Sequence, residues 1–143
     1  MLWANRNAET EAPLEAFLQH DTVKAIYTTG HPDPGKISPD NWNMDQFFLA
    51  RPNARHVQLD LFCDYRTNAA LYPTWQEAPY GPSQDPHLLG QGDILFTPEG
   101  GEVYLRDLPD ARMVRLNSGH FAVEDCLDEI VSGIRDIYDT NVK

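Results

Sequence analysis

The carboxy-terminal third of the chain carries the pattern that most restricts its fold. Leu127, Ile130, Val131, Ile134 and Ile137 recur at the spacing of one helix face, and Glu124, Asp125, Asp128 and Glu129 crowd its start. Acids there complement the positive end of the helix dipole, so an amphipathic helix is expected from Val123 onward. A stripe of this kind has to be covered by a second layer. Just before it, Arg112-Met113-Val114-Arg115-Leu116 has the length and residue types of a short strand, and Asn117-Ser118-Gly119-His120 reads as the connecting loop. Further upstream, Thr97-Pro98-Glu99 forms a helix start, with threonine at the cap, proline in the first turn and an acid behind it. That helix is expected to stop near Asp107, where Pro109-Asp110 turns the chain. Helix, strand, Gly-His loop and closing helix is the order that ends an α/β sheet, and α/β is the fold class expected.

The first half reads differently. Leu14, Phe17 and Leu18 follow i, i+3, i+4 spacing, which predicts a short helix over about residues 7–19. Residues 30–41 contain three prolines and two glycines and read as a turn-rich connection. A second helix is expected near Met44, Phe47 and Phe48. A longer one is expected over about residues 54–71, with Leu59, Phe62, Cys63 and Ala70 on one face. Helices joined by Pro/Gly turns, without a strand between them, suit a small helical layer.

Charge and composition exclude several classes. The formal net charge of −11, spread along the chain, offers no footprint for nucleic acid or an anionic membrane surface. No apolar run approaches the roughly 20 residues that span a bilayer, and Met1-Leu2-Trp3-Ala4-Asn5-Arg6 lacks the apolar core of a signal peptide. Cys63 and Cys126 belong to no CxxC or Cys/His spacing, so reduced thiols in a cytoplasmic protein are expected. His120 and Glu124 lie four apart without an HExxH pattern, and His31-Pro32-Asp33-Pro34 reads as a turn. No metal is therefore expected. Without GxxxxGK[ST] or GxGxxG, no cofactor is expected either.

Two residues could carry chemistry. His120 follows a strand and a Ser-Gly turn, a place from which a side chain leans over the carboxy-terminal edge of a sheet. Asp93, in Gly92-Asp93-Ile94-Leu95-Phe96-Thr97-Pro98, precedes a loop that opens a helix. An acid so placed can accept the histidine Nδ1–H and fix its tautomer, and acid before histidine is the α/β-hydrolase order.

Three segments make the resemblance specific: Gly92 to Gly100, Tyr104 to Ala111, and Gly119-His120-Phe121-Ala122-Val123-Glu124. In order and spacing they resemble the carboxy-terminal end of α/β-hydrolases of the epoxide-hydrolase and haloalkane-dehalogenase group. Gln58 to Asn68 followed by Leu71-Tyr72-Pro73-Thr74-Trp75-Gln76 resembles the end of that group's helical cap, and so do Tyr27-Thr28-Thr29-Gly30 and Ile37-Ser38-Pro39-Asp40. The resemblance implies that Asp93 is the triad acid and His120 the general base, acting on water that hydrolyses a covalent ester on an aspartate or serine. It implies a small-molecule substrate, with Tyr27 or Tyr65 polarising a substrate oxygen. It also implies a truncated α/β-hydrolase fold, with a helical cap remnant over residues 1–73 and the last strand-helix elements of the core over residues 74–143.

The chain departs from that group at two places. A nucleophile elbow needs small residues around the nucleophile. Of the four serines only Ser83 has glycine two residues before it, with Asp85 where the second glycine would stand. The expectation is a hydrolase by descent without turnover of its own; the alternative is a non-catalytic module that pairs with a missing amino-terminal half or a paralogue. Residues 78–91 should hold a buried strand, but three prolines interrupt them and only Leu88 and Leu89 are aliphatic. Codons for this stretch can be chosen so that reading one nucleotide later restores a strand-like run, and a local frameshift would account for the loss. Exposed apolar surface and self-association through it are expected of such a half.

Overall fold

The computed structural model describes residues 4–77 and 86–141. It contains seven α-helices and two strands among these residues, and the chain divides into two compact units. Residues 1–24 and 39–79 form the first, and residues 25–38 and 80–143 the second. The segment 25–38, read from the sequence as part of the helical layer, thus packs with the strands.

The first unit is helical. It comprises α1 (Ala8–Ala16), the start of α2 (His20–Thr28), α3 (Pro39–Leu49), α4 (Ala54–Asp64) and α5 (Arg66–Gln76). Asn7 caps α1, accepting the N–H groups of Glu9 and Thr10, while Thr10 Oγ1 accepts the Asn7 N–H. Leu14, Leu18 and Leu59 form the core, with Leu49 and Phe62 packed against it. Beyond α1 the Leu18 carbonyl accepts from Arg55 at 2.9 Å and Gln46 at 3.2 Å, so side chains satisfy a group that the helix end leaves open.

Two expectations are corrected here. The helix expected over residues 54–71 is two helices, broken at Tyr65. There Thr67 Oγ1 takes the Asp64 carbonyl and the Asn68 N–H reaches back only three residues to Tyr65 O, which tightens the turn. Ala70, expected on the buried face, is exposed. Helix α2 had not been expected, because Val23, Ile26 and Tyr27 give only one i, i+3, i+4 set within nine residues.

The second unit is a β-α-β arrangement closed by a helix. Strand β1 (Pro86–Gly90) and strand β2 (Arg112–Leu116) pair in parallel, with α6 (Pro98–Asp107) as the crossover and α7 (Leu127–Asn141) following. The register sets His87 opposite Met113 and Leu89 opposite Arg115 on one face, and Leu88 opposite Val114 and Gly90 opposite Leu116 on the other. Helix α6 covers the first face: His87 stacks on Tyr104 at 5.9 Å, Arg115 pairs with Glu102, and Gly101 sits against Leu89 and Met113. Helix α7 covers the second, where Gly133 leaves room for Leu88 and Arg112 reaches Asp136 at 4.0 Å. Helices on both faces of a parallel pair are the α/β layering expected from the sequence.

Within the stretch read as broken, residues 86–90 form a strand. Pro86 is its first residue, a position where a missing N–H is tolerated. Residues 78–85 lie outside the described residues. Helix α7 begins at Leu127 rather than Val123, because Ala122–Glu124 form a single 3-10 turn. Thr97 holds the cap position of α6 without a capping bond. Glu99 lies below its ordinary value through its own backbone N–H and the Thr97 hydroxyl.

Two glycines should respond in opposite directions. A Cβ on Gly100 would meet no atom within 4 Å, and Gly100 lies in the first turn of α6. Gly100→Ala is expected to stabilise the chain by about 0.5–1 kcal/mol. A Cβ on Gly90 would lie 2.2 Å from the Gly119 carbonyl oxygen, which is backbone and cannot swing aside. Gly90→Ala is expected to cost about 1–3 kcal/mol. Urea denaturation of the two variants checks both signs.

Candidate active site

The parallel register builds the site. Gly90 and Leu116 are partners at the ends of β1 and β2, so the two following loops emerge side by side. Two backbone bonds hold them together, Gln91 N–H to Leu116 O at 2.9 Å and Gly92 N–H to Ser118 O at 2.9 Å, and a turn bond from Asp93 N–H to Gly90 O at 3.2 Å closes the first loop on itself. Gly90 lies against the Gly119 backbone, an approach that a side chain at 90 would prevent. Asp93 stands three residues past β1 and His120 four past β2, and the structure brings them together.

His120 Nδ1 lies 3.0 Å from Asp93 Oδ2 and 3.1 Å from Oδ1. An ionised carboxylate only accepts, so Nδ1 carries the proton and donates it, and Nε2 is left with its lone pair. Among the described residues Nε2 makes no hydrogen bond. Asp93 is 8% exposed. Its Oδ1 also accepts the N–H groups of Leu95 at 2.8 Å and Phe96 at 2.9 Å. Burial pushes the Asp93 carboxyl upward. The Phe96 and Leu95 N–H groups and His120 together outweigh it and hold the group below the ordinary carboxylate value.

Aromatic rings flank the imidazole. Phe96, 69% exposed, lies 5.3 Å from the His120 ring, and Phe121 lies edge-on at 4.9 Å. Tyr27 stacks on Phe121 at 4.0 Å and 10°, so it is two rings removed from His120 in the same unit. Tyr65 belongs to the first unit, half exposed, with its hydroxyl 2.5 Å from that of Tyr72. Sequence reasoning had not singled out Phe96 and Phe121. Their signal was adjacency alone, since each lies within three residues of a site residue.

Among the described residues no group of three or more His, Cys, Asp or Glu side chains stands together as a metal site, and no helix is long and apolar enough to cross a membrane. Cys63 and Cys126 are both free. Burial, and then Asp125 and Glu129, push the Cys126 thiol upward, away from the reactive thiolate.

No family model matches the sequence, and no solved structure matches it. The chain is similar to an uncharacterized hydrolase of Saccharomyces cerevisiae, with 31% identity over 134 residues that make up 92% of this chain and 43% of the relative. It therefore spans less than half the length of that protein.

The electrostatics of Asp93 give a pH dependence of stability. A carboxyl held low in the folded state contributes stability above its unfolded value, and that contribution is lost as pH falls through the folded value. Wild-type stability is thus expected to drop as pH is lowered below about 4. Asp93→Asn should be the less stable protein at neutral pH and should show a shallower acid loss. Denaturant midpoints measured for both proteins from neutral to acid pH check the sign.

Proposed function

We propose that this chain is the acid-and-histidine half of a hydrolase of the α/β-hydrolase type, within the group of epoxide hydrolases, haloalkane dehalogenases and related esterases. The observation that carries the reading is the Asp93–His120 pair, set on adjacent loops at the carboxy ends of parallel strands with Nε2 left to accept a proton. Similarity to a protein described as a hydrolase supports it.

In this reading His120 Nε2 removes a proton from water as the water oxygen attacks the carbonyl carbon of an ester formed on the nucleophile. As the tetrahedral intermediate collapses, the imidazolium returns the proton to the leaving oxygen: the substrate's alkoxide from an ester on aspartate, which releases an alcohol, or the serine oxygen from an acyl-serine, which releases an acid. Asp93 orients the ring and stabilises the imidazolium that forms. The nucleophile and its elbow come from outside these 143 residues, so this chain alone turns over no substrate. Phe96 and Phe121 give His120 apolar walls, which suits a small organic substrate presenting an apolar group to the base. Tyr27 and Tyr65 are the proposed hydroxyl donors to a substrate oxygen. Tyr27 is favoured by its stack on Phe121. The free thiols fit a cytoplasmic setting.

A second reading, a non-catalytic module that pairs with the missing half or with a further copy, is favoured by one observation. On α7 Leu127, Ile134 and Tyr138 are 53%, 55% and 63% exposed and fall on one side of the helix. Sedimentation of the isolated chain is expected to show association that grows with concentration, and a strictly monomeric chain would count against uncovered apolar surface as a binding face.

The catalytic reading is tested by a graft. This chain replaces the matched region of the yeast relative, and the product is assayed on simple esters, epoxides and haloalkanes. Turnover is expected from the graft and not from the isolated chain. Asp93→Asn should lower it about ten-thousandfold, and His120→Gln should abolish it. A graft whose activity survives His120→Gln overturns the reading.

A further inference from the structure

We infer that His31, Asp125 and Ser118 form a buried positioning network that fixes the loop carrying His120. Each member comes from a different part of the second unit: the turn after α2, the residue before Cys126 and α7, and the loop after β2. From the sequence His31 was only part of a proline turn. In the structure it is buried, and its Nδ1 accepts the Asp33 N–H at 2.8 Å. That bond leaves the proton on Nε2. Nε2 lies in ion-pair contact with Asp125 Oδ2 without forming an aligned hydrogen bond, and Asp125 Oδ1 accepts the Ser118 hydroxyl at 2.7 Å. Asp125 therefore faces a polar partner with each oxygen, as an ionised carboxylate needs when water is largely excluded.

Ser118 is the most enclosed side chain described, 1% exposed, and it lies two residues before His120. It is tied at three points. Its N–H donates to Leu116 O at 2.9 Å, its carbonyl accepts from Gly92 N–H at 2.9 Å, and its hydroxyl donates to Asp125. Gly92 precedes Asp93, so one residue restrains the backbones of both site loops. The next residue, Gly119, packs so closely on Thr29 that a Cβ would lie 2.4 Å from the Thr29 carbonyl oxygen. The three residue types are those of a nucleophilic triad, but the order is not. A carboxylate lies between hydroxyl and imidazole, so no imidazole faces the serine oxygen, and burial keeps substrate from it. The work left to the cluster is positioning, and its catalytic meaning rests on the assignment of His120 as base.

The test is nuclear magnetic resonance on the whole chain, with no substrate present. Two readouts are followed: the Nδ1–H resonance of His120 and amide exchange at Gly92, with Leu105 in α6 as the reference. In His31→Leu and Asp125→Asn, exchange at Gly92 is expected to rise roughly tenfold to hundredfold, the effect of losing a hydrogen bond to a buried charge. The His120 Nδ1–H resonance should broaden or vanish while Leu105 stays within about twofold. His31→Gln, which keeps an N–H donor, should restore both signals, and the milder Ser118→Ala should shift both in the direction of His31→Leu. Unchanged signals in His31→Leu, or exchange that rises equally at Leu105 as it would in plain destabilisation, overturns the inference. Because no substrate enters, a chain that hydrolyses none leaves the network standing. A network that proves idle leaves hydrolysis through Asp93 and His120 standing.

Discussion

Gly90 lies opposite Leu116 in a parallel pair, and both strands therefore release their chains at the same edge. An antiparallel pair of the same two segments would send the loops to opposite ends. The parallel arrangement obliges a crossover, and α6 supplies it between the strands. Two backbone bonds just past the strand ends extend the pairing into the loops, so that Gly92 and Ser118 still behave as neighbours where regular strand has stopped. Asp93 and His120 meet because the backbone ladder outlasts the strands by two residues on each side. Glycine at 90 is the condition for that approach, and glycine at 119 lets the second loop lie against Thr29.

Two carboxylates are then placed away from water, and each is met by a different supply of donors. Asp93 is held by two backbone N–H groups and a ring nitrogen, and backbone donors come without side-chain entropy to lose. It stays ionised because those donors outweigh the burial that would protonate it. Asp125 instead draws on one hydroxyl donor and an ion-pair contact with a second histidine. Both arrangements obey one rule: a buried charge is tolerated only where its lone pairs are occupied. Their effect on His120 differs, since Asp93 addresses the ring and Asp125 the backbone that presents it. A ring can be oriented to within hydrogen-bond geometry only when both its partner and its own main chain are fixed.

The sequence disclosed those parts of the fold that long periodicities or strong punctuation mark. Helix α7 showed through five aliphatic residues at helical spacing, α6 through Thr97-Pro98-Glu99, and β2 through its bounded run of five. Asp93 and His120 were legible because the loops that bear them follow such elements and fall in the order that triad chemistry needs. Helix α2 and the break at Tyr65 were not, since one depends on a nine-residue span and the other on a hydroxyl reaching back to a carbonyl. Strand β1 was not legible because the prolines were weighed over the whole stretch 78–91, whereas in the strand as described Pro86 holds the first position. His31 was opaque for a deeper reason. Its partner Asp125 lies 94 residues away (125 − 31), with Ser118 on the other oxygen of that carboxylate, and no local pattern announces a contact of that span.

Helix α7 carries more apolar surface than a two-stranded sheet can cover. Its inward side rests on β1 through Gly133 and Leu88, and that packing sets how the helix lies. Leu127, Ile134 and Tyr138 point elsewhere and remain open. At about 25 cal/mol per Å² of apolar area removed from water, a stripe of this size represents several kcal/mol awaiting a cover. Each strand also has one edge without a neighbour among the described residues, and an unpaired edge offers a row of backbone donors and acceptors. Open helix face and open sheet edge call for the same thing, further strands and helices continuing the layers. That is the need an amino-terminal half would meet in the hydrolase reading. What this chain holds ready does not depend on that half: the Asp93–His120 pair and the residues behind it are all built within residues 25–38 and 86–141. A hydrolytic site divided in this way would keep base and orientation on one side of the division and nucleophile on the other, so that chemistry begins only when the sheet is continuous.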